Sequence, residues 1–281
     1  MRPCVAADPK AGIQKIFTAA RYLFPPQTGE GQSDEKRSFA GKKEKNRSPD
    51  DPADDRPGDS RDHAAYDPGH RPAVAVVPGK RTAGNAEKAA GEFQKRTDGS
   101  RIILITGDEY KPYKTAVLNI YGKETVPART GKPGRPAKPY MEPPENISYA
   151  TVHKTRGNGR GAKTEFRTVF GTDESVRGAL AESAVSSQVN TAFIERNSGT
   201  DRNRNARKVR KTCCFPKDRD IHEAVTYFTV YSYNFCRPAR TLRRKDEYGI
   251  WVSRTPAMAS GLTDHVWSLR EWITCPAVQR K

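Results

Sequence analysis

Residues 102–110 read IILITGDEY, and this stretch decides the fold. A continuous apolar run that ends at a glycine and an acid is typical of a strand buried on both faces of a central sheet. Ligands of such sheets bind beyond the carboxyl ends of the strands, which is where Asp108 lies. Asp108 is therefore a candidate site residue, although an Asp after a strand also commonly caps the next helix.

The elements around this strand predict a mixed α/β sheet with flanking helices. Residues 64–66 and 73–77 are short apolar runs separated by a turn, which indicates an antiparallel hairpin. Residues 86–95 and 113–121 have helical patterns, and the second ends at Gly122. Residues 31–46 precede the hairpin, and their position alone predicts a first strand. Their composition does not support it, because Lys36 and Arg37 stand where a buried strand has apolar residues.

Other segments look poor in core residues. Residues 41–61 are charged and proline-rich, and residues 123–146 repeat proline, so we expect loops or disorder in both. Arg135, in a Gly-Arg-Pro context, is either part of a linker or an arginine for the DNA minor groove. Residues 147–172 predict a hairpin across GNGRG, as a small β element of an insertion.

Two later segments look like packing elements of the core. The helical run 221–235 has one face formed by Ile221, Val225, Phe228 and either Tyr231 or Ser232, which favours burial over base stacking. The tail from residue 255 to 272 is expected to dock with Trp267 and Trp272 facing inward.

The charge of the chain points to a polyanionic partner. Fifty Lys and Arg stand against 33 Asp and Glu, for a net charge of +17. In residues 191–211, Glu195 directly precedes seven basic residues: Arg196, Arg202, Arg204, Arg207, Lys208, Arg210 and Lys211. A helix from about Thr200 would place Arg204, Lys208 and Lys211 on one face along DNA phosphates, and the alternative is a solvated helix face.

Several classes of protein are disfavoured. The five cysteines are odd in number and include no CxxC pair, which argues against a disulfide framework and a zinc finger. No run of about 18 apolar residues occurs, and the start lacks a signal-peptide pattern. We therefore expect no membrane association and a cytoplasmic location on the nucleoid.

Six pieces of the sequence resemble the acid-triad (DDE) transposases of the IS-one type of bacterial insertion sequence. They are SDEKRSFAGKKEKN, VVPGKRTAGNAE, ILITGDEYKPY, FIERNSGTDRNRNARKVRK, YNFCRPARTLR and TPAMASGLTDHVWSLREW, spanning about Asp34 to Trp272. The resemblance implies a ribonuclease-H-like fold in which Asp34, Asp108 and Glu195 are catalytic and bind two Mg²⁺ or Mn²⁺ ions. It also implies double-stranded DNA as partner, at element ends and target, and a homo-oligomer on that DNA.

The resemblance leaves two questions open. Asp67 is the alternative first acid, because YDPG also ends a strand, but the first acid of such folds sits mid-strand before the hairpin, which favours Asp34. Arg37 stands where the family has a tryptophan, and Asn197-Ser198 replaces a glutamine-asparagine pair. The chain is thus either a working transposase or a catalytically inactive, basic DNA-binding relic.

The resemblance also predicts a division of the chain into four parts. Residues 1–30 form an N-terminal remnant without a DNA-binding domain, so the copy looks truncated, and residues 31–122 form the first part of the catalytic domain. Residues 123–190 are an insertion, and residues 191–281 carry the glutamate segment, a basic helix and C-terminal helices.

Overall fold

Six strands form one mixed sheet in the computed structural model, which describes residues 28–43, 46, 58–97, 101–128, 137–156 and 162–274. The strands of this sheet are β1 Glu30–Ala40, β2 Gly58–Tyr66, β3 Ala73–Gly79, β4 Leu104–Gly107, β7 Ser148–Arg156 and β8 Ala162–Phe170. Two small two-stranded sheets add β5 Lys123–Thr125 with β6 Tyr140–Glu142, and β9 Ala239–Lys245 with β10 Trp251–Arg254. The helices are α1 Ala83–Arg96, α2 Lys111–Tyr121, α3 Asp173–Glu182, α4 Ala192–Arg204, α5 Arg219–Cys236, α6 Pro256–Ala259 and α7 Leu269–Thr274.

The order of strands in the main sheet is β3-β2-β1-β4-β7-β8. The neighbours β1–β2, β2–β3 and β7–β8 are antiparallel, whereas β4 lies parallel to both β1 and β7. The short β4 is thus surrounded by strands on both sides, which explains why IILIT is apolar throughout. This mixed sheet with flanking helices confirms the predicted α/β class.

Side chains alternate between two covered faces of the sheet. Ile105 and Tyr149 pack in a cluster with residues of α1 and α2, including Phe93 and Tyr113. Leu104, the neighbour of Ile105, packs instead with the residues of α3. Helices on both faces leave the ends of the strands as the open edge where polar groups can gather.

The predicted hairpin 64–77 and the helices 86–95 and 113–121 are present with slightly longer bounds, and the predicted strand 102–106 is present as the shorter β4, Leu104–Gly107. Three expectations are wrong. Residues 123–146, expected to be loop or disorder, include the paired strands β5 and β6. Strand β2 begins at Gly58, inside a segment expected to be loop, and β7 and β8 are not a small β element of their own. They extend the main sheet, because β7 pairs with β4 from Leu104↔Ser148 to Gly107↔Thr151. Arg135 and residues 1–27 lie outside the described residues.

The predicted helix 221–235 is α5, and its buried face differs from the predicted one only at the start. Ile221 is 46% exposed, while His222 and Thr226 are buried, because the first half of the helix covers a buried ion network. In the second half the prediction is confirmed, since Phe228 and Tyr231 pack in an apolar cluster. Trp267 and Trp272 pack in the cluster of α5, as predicted.

Candidate metal centre

Asp34 and Asp108 lie side by side where β1 and β4 run parallel. The register pairs Ser33 with Gly107, so the next residue of each chain segment is an aspartate. Asp34 is in the middle of β1, whereas Asp108 follows the last residue of β4. The parallel pairing thus places one acid from each of two distant sequence segments at one point of the sheet.

Glu35 completes a cluster of three carboxylates. One oxygen each from Asp34, Glu35 and Asp108 lie within 4.8 Å of one another, which is the spacing of groups that can share a metal ion. Arg81 forms an ion pair with the first oxygen of Glu35 and stacks on the ring of Tyr110 at 4.1 Å. The second oxygen, Oε2, is buried, and among the described residues no N–H or O–H donor reaches it, although the carboxyl groups of Glu35 and Asp108 lie within hydrogen-bond reach of each other. A buried carboxylate oxygen without a partner is costly, and a hard cation would satisfy it.

The electrostatics of the cluster agree with this arrangement. Burial, followed by the charge of Asp108, raises the pKa of Asp34 and raises the pKa of Glu35 to about 7. Burial also raises the pKa of Asp108. Three carboxyls that resist ionisation together are the donor set that a divalent cation stabilises, since its charge removes their mutual repulsion.

Glu195, the third predicted acid, lies outside this cluster. It is in the first turn of α4, and its Oε1 accepts hydrogen bonds from Lys154 Nζ at 2.6 Å and Thr191 Oγ1 at 2.7 Å. Burial acts to raise the pKa of Glu195, but these hydrogen bonds outweigh it and the pKa is lowered. The charge of Glu195 also contributes to the raised pKa of Asp34, so the two carboxylates are within electrostatic reach.

Sequence reasoning named Asp34 and did not assign Glu35 to the site. Successive side chains of a strand point to opposite faces, so a strand pattern favours only one member of an adjacent pair. Asp108 lies beyond the end of β4, where the pleat of a neighbouring strand no longer separates the faces. Both carboxylates of β1 can therefore approach it. The adjacency of Asp34 and Glu35 was the available signal.

Asp67, the alternative first acid, is used by the turn that follows β2. Its side chain is buried and accepts hydrogen bonds from Thr28 Oγ1 at 3.0 Å, Gly69 N at 2.8 Å and His70 Nδ1 at 2.7 Å. The hydrogen bond to Asp67 raises the pKa of His70. Each oxygen of Asp67 thus has protein partners, and the geometry favours Asp34.

The basic helix predicted from about Thr200 is wrong, because α4 ends at Arg204. Lys208 is buried, and its Nζ lies 2.8 Å from Asp62 Oδ2 and 3.2 Å from Asp201 Oδ2. Arg204 donates to the carbonyl of Thr229 at 2.8 Å. These two cations are therefore committed to the fold and are not free to contact DNA phosphates.

The other predicted DNA-binding residues are more accessible. Arg196, Arg207, Arg210 and Lys211 are exposed and Arg202 is half-buried. None of the five forms an ion pair within the part of the chain that the structure describes. They are the members of the predicted set that retain free charge.

Other sites are not supported by the described residues. Cys213 and Cys214 are exposed and free, and among residues 28–274 as described the acidic cluster is the single group of three or more metal-ligand side chains. No described helix has the length and apolar character needed to cross a bilayer.

A scan against protein-family models and searches of curated proteins and of solved structures found no match to this chain. The resemblance to IS-one transposases therefore stays a prediction that rests on the quoted motifs.

Proposed function

We propose that the protein is a metal-dependent DNA transposase that hydrolyses and transfers phosphodiester bonds at the ends of an insertion element. The observation that carries the proposal is the cluster of Asp34, Glu35 and Asp108 with one buried carboxylate oxygen left unpartnered. A mixed sheet that puts two of the three predicted acids together supports a ribonuclease-H-like catalytic domain. The excess of 17 positive charges supports DNA as the substrate.

The residues present suit Mg²⁺ or Mn²⁺. Asp34, Glu35 and Asp108 would hold the ion, because carboxylate oxygens are the ligands that hard divalent cations prefer. Such ions, two in enzymes of this chemistry, activate the attacking hydroxyl and stabilise the leaving oxygen. Arg81 fixes the orientation of Glu35, and its guanidinium is itself held against the ring of Tyr110.

Glu195 has a distinct place in this proposal. Its carboxylate is about half exposed, and Lys154 occupies it through one short ion pair. Exposed pairs of this kind contribute roughly 0–1 kcal/mol, so an ion bound at the neighbouring cluster competes easily with Lys154 for the carboxylate. Glu195 then serves as the last acid of the predicted triad with Asp34 and Asp108. The protein acts as an oligomer that holds two element ends.

The second candidate is an inactive relic that binds DNA without cutting it. The position of Glu195 outside the cluster favours it, as do the departures at Arg37 and at Asn197-Ser198 beside the predicted acids. Both candidates predict DNA binding that weakens as salt rises. Binding alone therefore does not separate them.

The test measures nicking and strand transfer on supercoiled DNA carrying an element end, with Mg²⁺ or Mn²⁺. We expect product from the parent, and none above background from Asp108→Asn or Glu195→Gln. Glu109→Gln is the matched control, because Glu109 is the next residue and pairs with His153 at 2.5 Å and Arg167 at 3.1 Å outside the cluster. If the parent and Asp108→Asn gave the same trace of product, the enzymatic proposal would be lost and the relic would stand.

A second readout is independent of activity. Ligands that bind only the folded protein stabilise it, by about 1.4 kcal/mol at ten times the dissociation constant. Mn²⁺ should therefore raise the melting temperature of the parent and of Glu109→Gln. It should leave Asp108→Asn unchanged, because that variant removes one ligand of the cluster.

A further inference from the structure

A cavity of about 610 Å³ lies where the second half of β1 meets the segment that follows α4. Arg37, Phe39 and Lys43 form one wall, and Arg207, Arg210, Lys211 and Phe215 belong to the other. Pockets that hold small ligands measure roughly 300–1,000 Å³, so the volume suits a ligand the size of one nucleotide. We call this space the basic cavity.

The basic cavity has far more positive than negative charge. Its lining includes one carboxylate, Asp59, which is paired with Arg37 at 2.7 Å. Arg202, Arg210 and Lys211 also line it and form no ion pair with any residue that the structure describes. Burial and then the charge of Arg210 lower the pKa of Arg202. Cations that repel one another at one concave surface are stabilised by a bound anion.

The backbone of this wall is itself unusual. Lys211 has φ of 60°, in the left-handed region that residues other than glycine rarely adopt. Backbone strain of this kind persists where the surrounding structure holds a functional side chain in place. Lys211, which has this backbone conformation, is one of the residues that line the basic cavity.

Two phenyl rings give the basic cavity an apolar side. The rings of Phe39 and Phe215 lie 5.1 Å apart at an angle of 37°. Lys43 lies 5.3 Å from the centre of the Phe39 ring, and Lys217 lies 3.4 Å from that of Phe215. Aromatic faces beside backbone-binding cations are the combination that proteins use to bind single-stranded nucleic acid.

The basic cavity is connected to the candidate metal centre through β1 and Arg202. Asp34 and Phe39 are five residues apart on the same strand, which is about 17 Å. Arg202 lines the cavity and also interacts electrostatically with Asp34. A strand of DNA whose phosphate lies at the acidic cluster can thus reach the basic cavity with a nucleotide close by in its sequence.

We propose that the basic cavity binds one unpaired nucleotide of a DNA strand, its phosphate on Arg210 and Lys211 and its base against the paired rings of Phe39 and Phe215. The nucleotide is unpaired because a base stacked inside a duplex does not present its face to a side chain. The inference rests on the proposed function in taking DNA as the polymer. It adds a single-stranded segment near the site of cleavage as the form of DNA that is recognised.

The test uses a fluorescent 12-nucleotide single strand and a duplex of the same sequence, with EDTA present so that no cleavage occurs. One variant, Arg210→Gln with Lys211→Asn, removes two charges, and asparagine tolerates the left-handed backbone at position 211. The charge-matched control is Lys88→Gln with Lys95→Gln, two exposed lysines of α1. Phe215→Leu removes the ring and keeps the apolar bulk.

We expect Arg210→Gln with Lys211→Asn to bind the single strand about 10-fold or more weakly. The slope of log affinity against log salt concentration should become shallower by about 1.4, because each of the two lost phosphate contacts accounts for about 0.7. Phe215→Leu should weaken single-strand binding by about 5-fold or more with an unchanged salt slope, and should not affect the duplex. Equal affinities for cavity variants and control would overturn the inference. So would an equal loss of duplex affinity in Phe215→Leu.

The outcomes separate this inference from the proposed function. If the parent fails to nick DNA with Mg²⁺ while the cavity variants lose single-strand affinity, the transposase proposal fails and the basic cavity stands. If the parent nicks DNA and the cavity variants bind as the control does, the basic cavity is refuted alone. Circular dichroism checks that each variant is folded, which we expect because Arg210 and Lys211 are exposed and Phe215→Leu keeps an apolar side chain at its half-buried position.

Discussion

Replacing Asp62 with asparagine is predicted to destabilise the fold strongly. Asp62 belongs to a buried ion network with Lys36, Asp201, Lys208 and His222, all less than 9% exposed. Its carboxylate lies 2.8 Å from Lys208 Nζ, 3.4 Å from Lys36 Nζ and 3.2 Å from His222 Nε2. Asparagine keeps the shape of the side chain and removes its charge, so the change isolates the electrostatic contribution.

The magnitude follows from the balance of buried charge. Below about pH 7, where Lys36 is protonated, the positive charges of Lys36 and Lys208 are balanced by the negative charges of Asp62 and Asp201, and the variant leaves two cations against one anion. Removing one partner of a buried ion pair costs about 3–5 kcal/mol. A typical domain has a free energy of unfolding of about 5–15 kcal/mol, so this loss is a large fraction of the total.

The loss should also depend on pH. Burial, followed by the charge of Lys208, lowers the pKa of Lys36 to about 7 from an ordinary value of 10.5, and Asp62 opposes this shift. Without Asp62, the pKa of Lys36 in the folded protein falls further. The pH range in which the unfolded chain binds one proton more than the folded protein therefore begins below pH 7. Stability rises with pH wherever the unfolded chain binds more protons. The stability of the variant therefore rises as the pH approaches 7 from below while that of the parent does not, so the deficit of the variant is larger at pH 6 than at pH 9.

The assay is urea denaturation followed by circular dichroism at pH 6 and pH 9. Asp59→Asn is the control, because Asp59 lies on the same strand and pairs with Arg37 at the surface, where the side chain of Arg37 is 60% exposed. Exposed pairs contribute about 1 kcal/mol or less. A loss below about 1 kcal/mol for Asp62→Asn, or a larger deficit at pH 9 than at pH 6, would refute the reasoning.

Three further predictions concern backbone space and the proposed third acid. Gly122→Ala should cost about 1–3 kcal/mol of unfolding free energy, because its new Cβ would lie within 3.0 Å of two backbone carbonyl oxygens, whereas Gly178→Ala, with nothing within 4 Å, should not destabilise. Gly199→Ala, inside α4 and equally open, should stabilise by about 1 kcal/mol in chemical denaturation, and a loss would mean that the helix end moves. Lys154→Met should raise the pKa of Glu195, because it removes a hydrogen bond that lowers it, and should lower the Mn²⁺ concentration needed to raise the melting temperature; an unchanged concentration would argue against Glu195 as a ligand.

The sequence was informative where local pattern and burial agree. The run IILIT and the acid that follows it predicted both a central strand and a site residue. A strand that is covered on both faces buries all its side chains, so it is recognised as a continuous apolar run. The pairing of β7 with β4 was not predictable, since it joins segments whose contact is set by the whole sheet. Lys208 was misassigned for the same reason: a lysine in a basic run looks solvent-exposed until two distant aspartates, Asp62 and Asp201, are placed around it.

The strand that carries the first acids also fixes α4, and thereby the distance from Glu195 to the cluster. Gln32 binds the start of the helix, since its Oε1 accepts from Ile194 N at 3.1 Å. Lys36, four residues along β1, forms a buried ion pair with Asp201 near the end of α4. With the helix held at both ends, the backbone of Glu195 cannot slide toward Asp34.

The side chain of Glu195 can change position without the backbone, and two hydrogen bonds, from Lys154 and Thr191, restrain it. A rotation of this exposed side chain breaks two hydrogen bonds at the surface, whereas a shift of α4 would separate the buried charges of Lys36 and Asp201, and leaving a buried charge without its partner costs about 3–5 kcal/mol. Under the proposed function, the choice between a working enzyme and a relic therefore depends on whether the side chain of Glu195 can rotate to the two acids that the sheet places together.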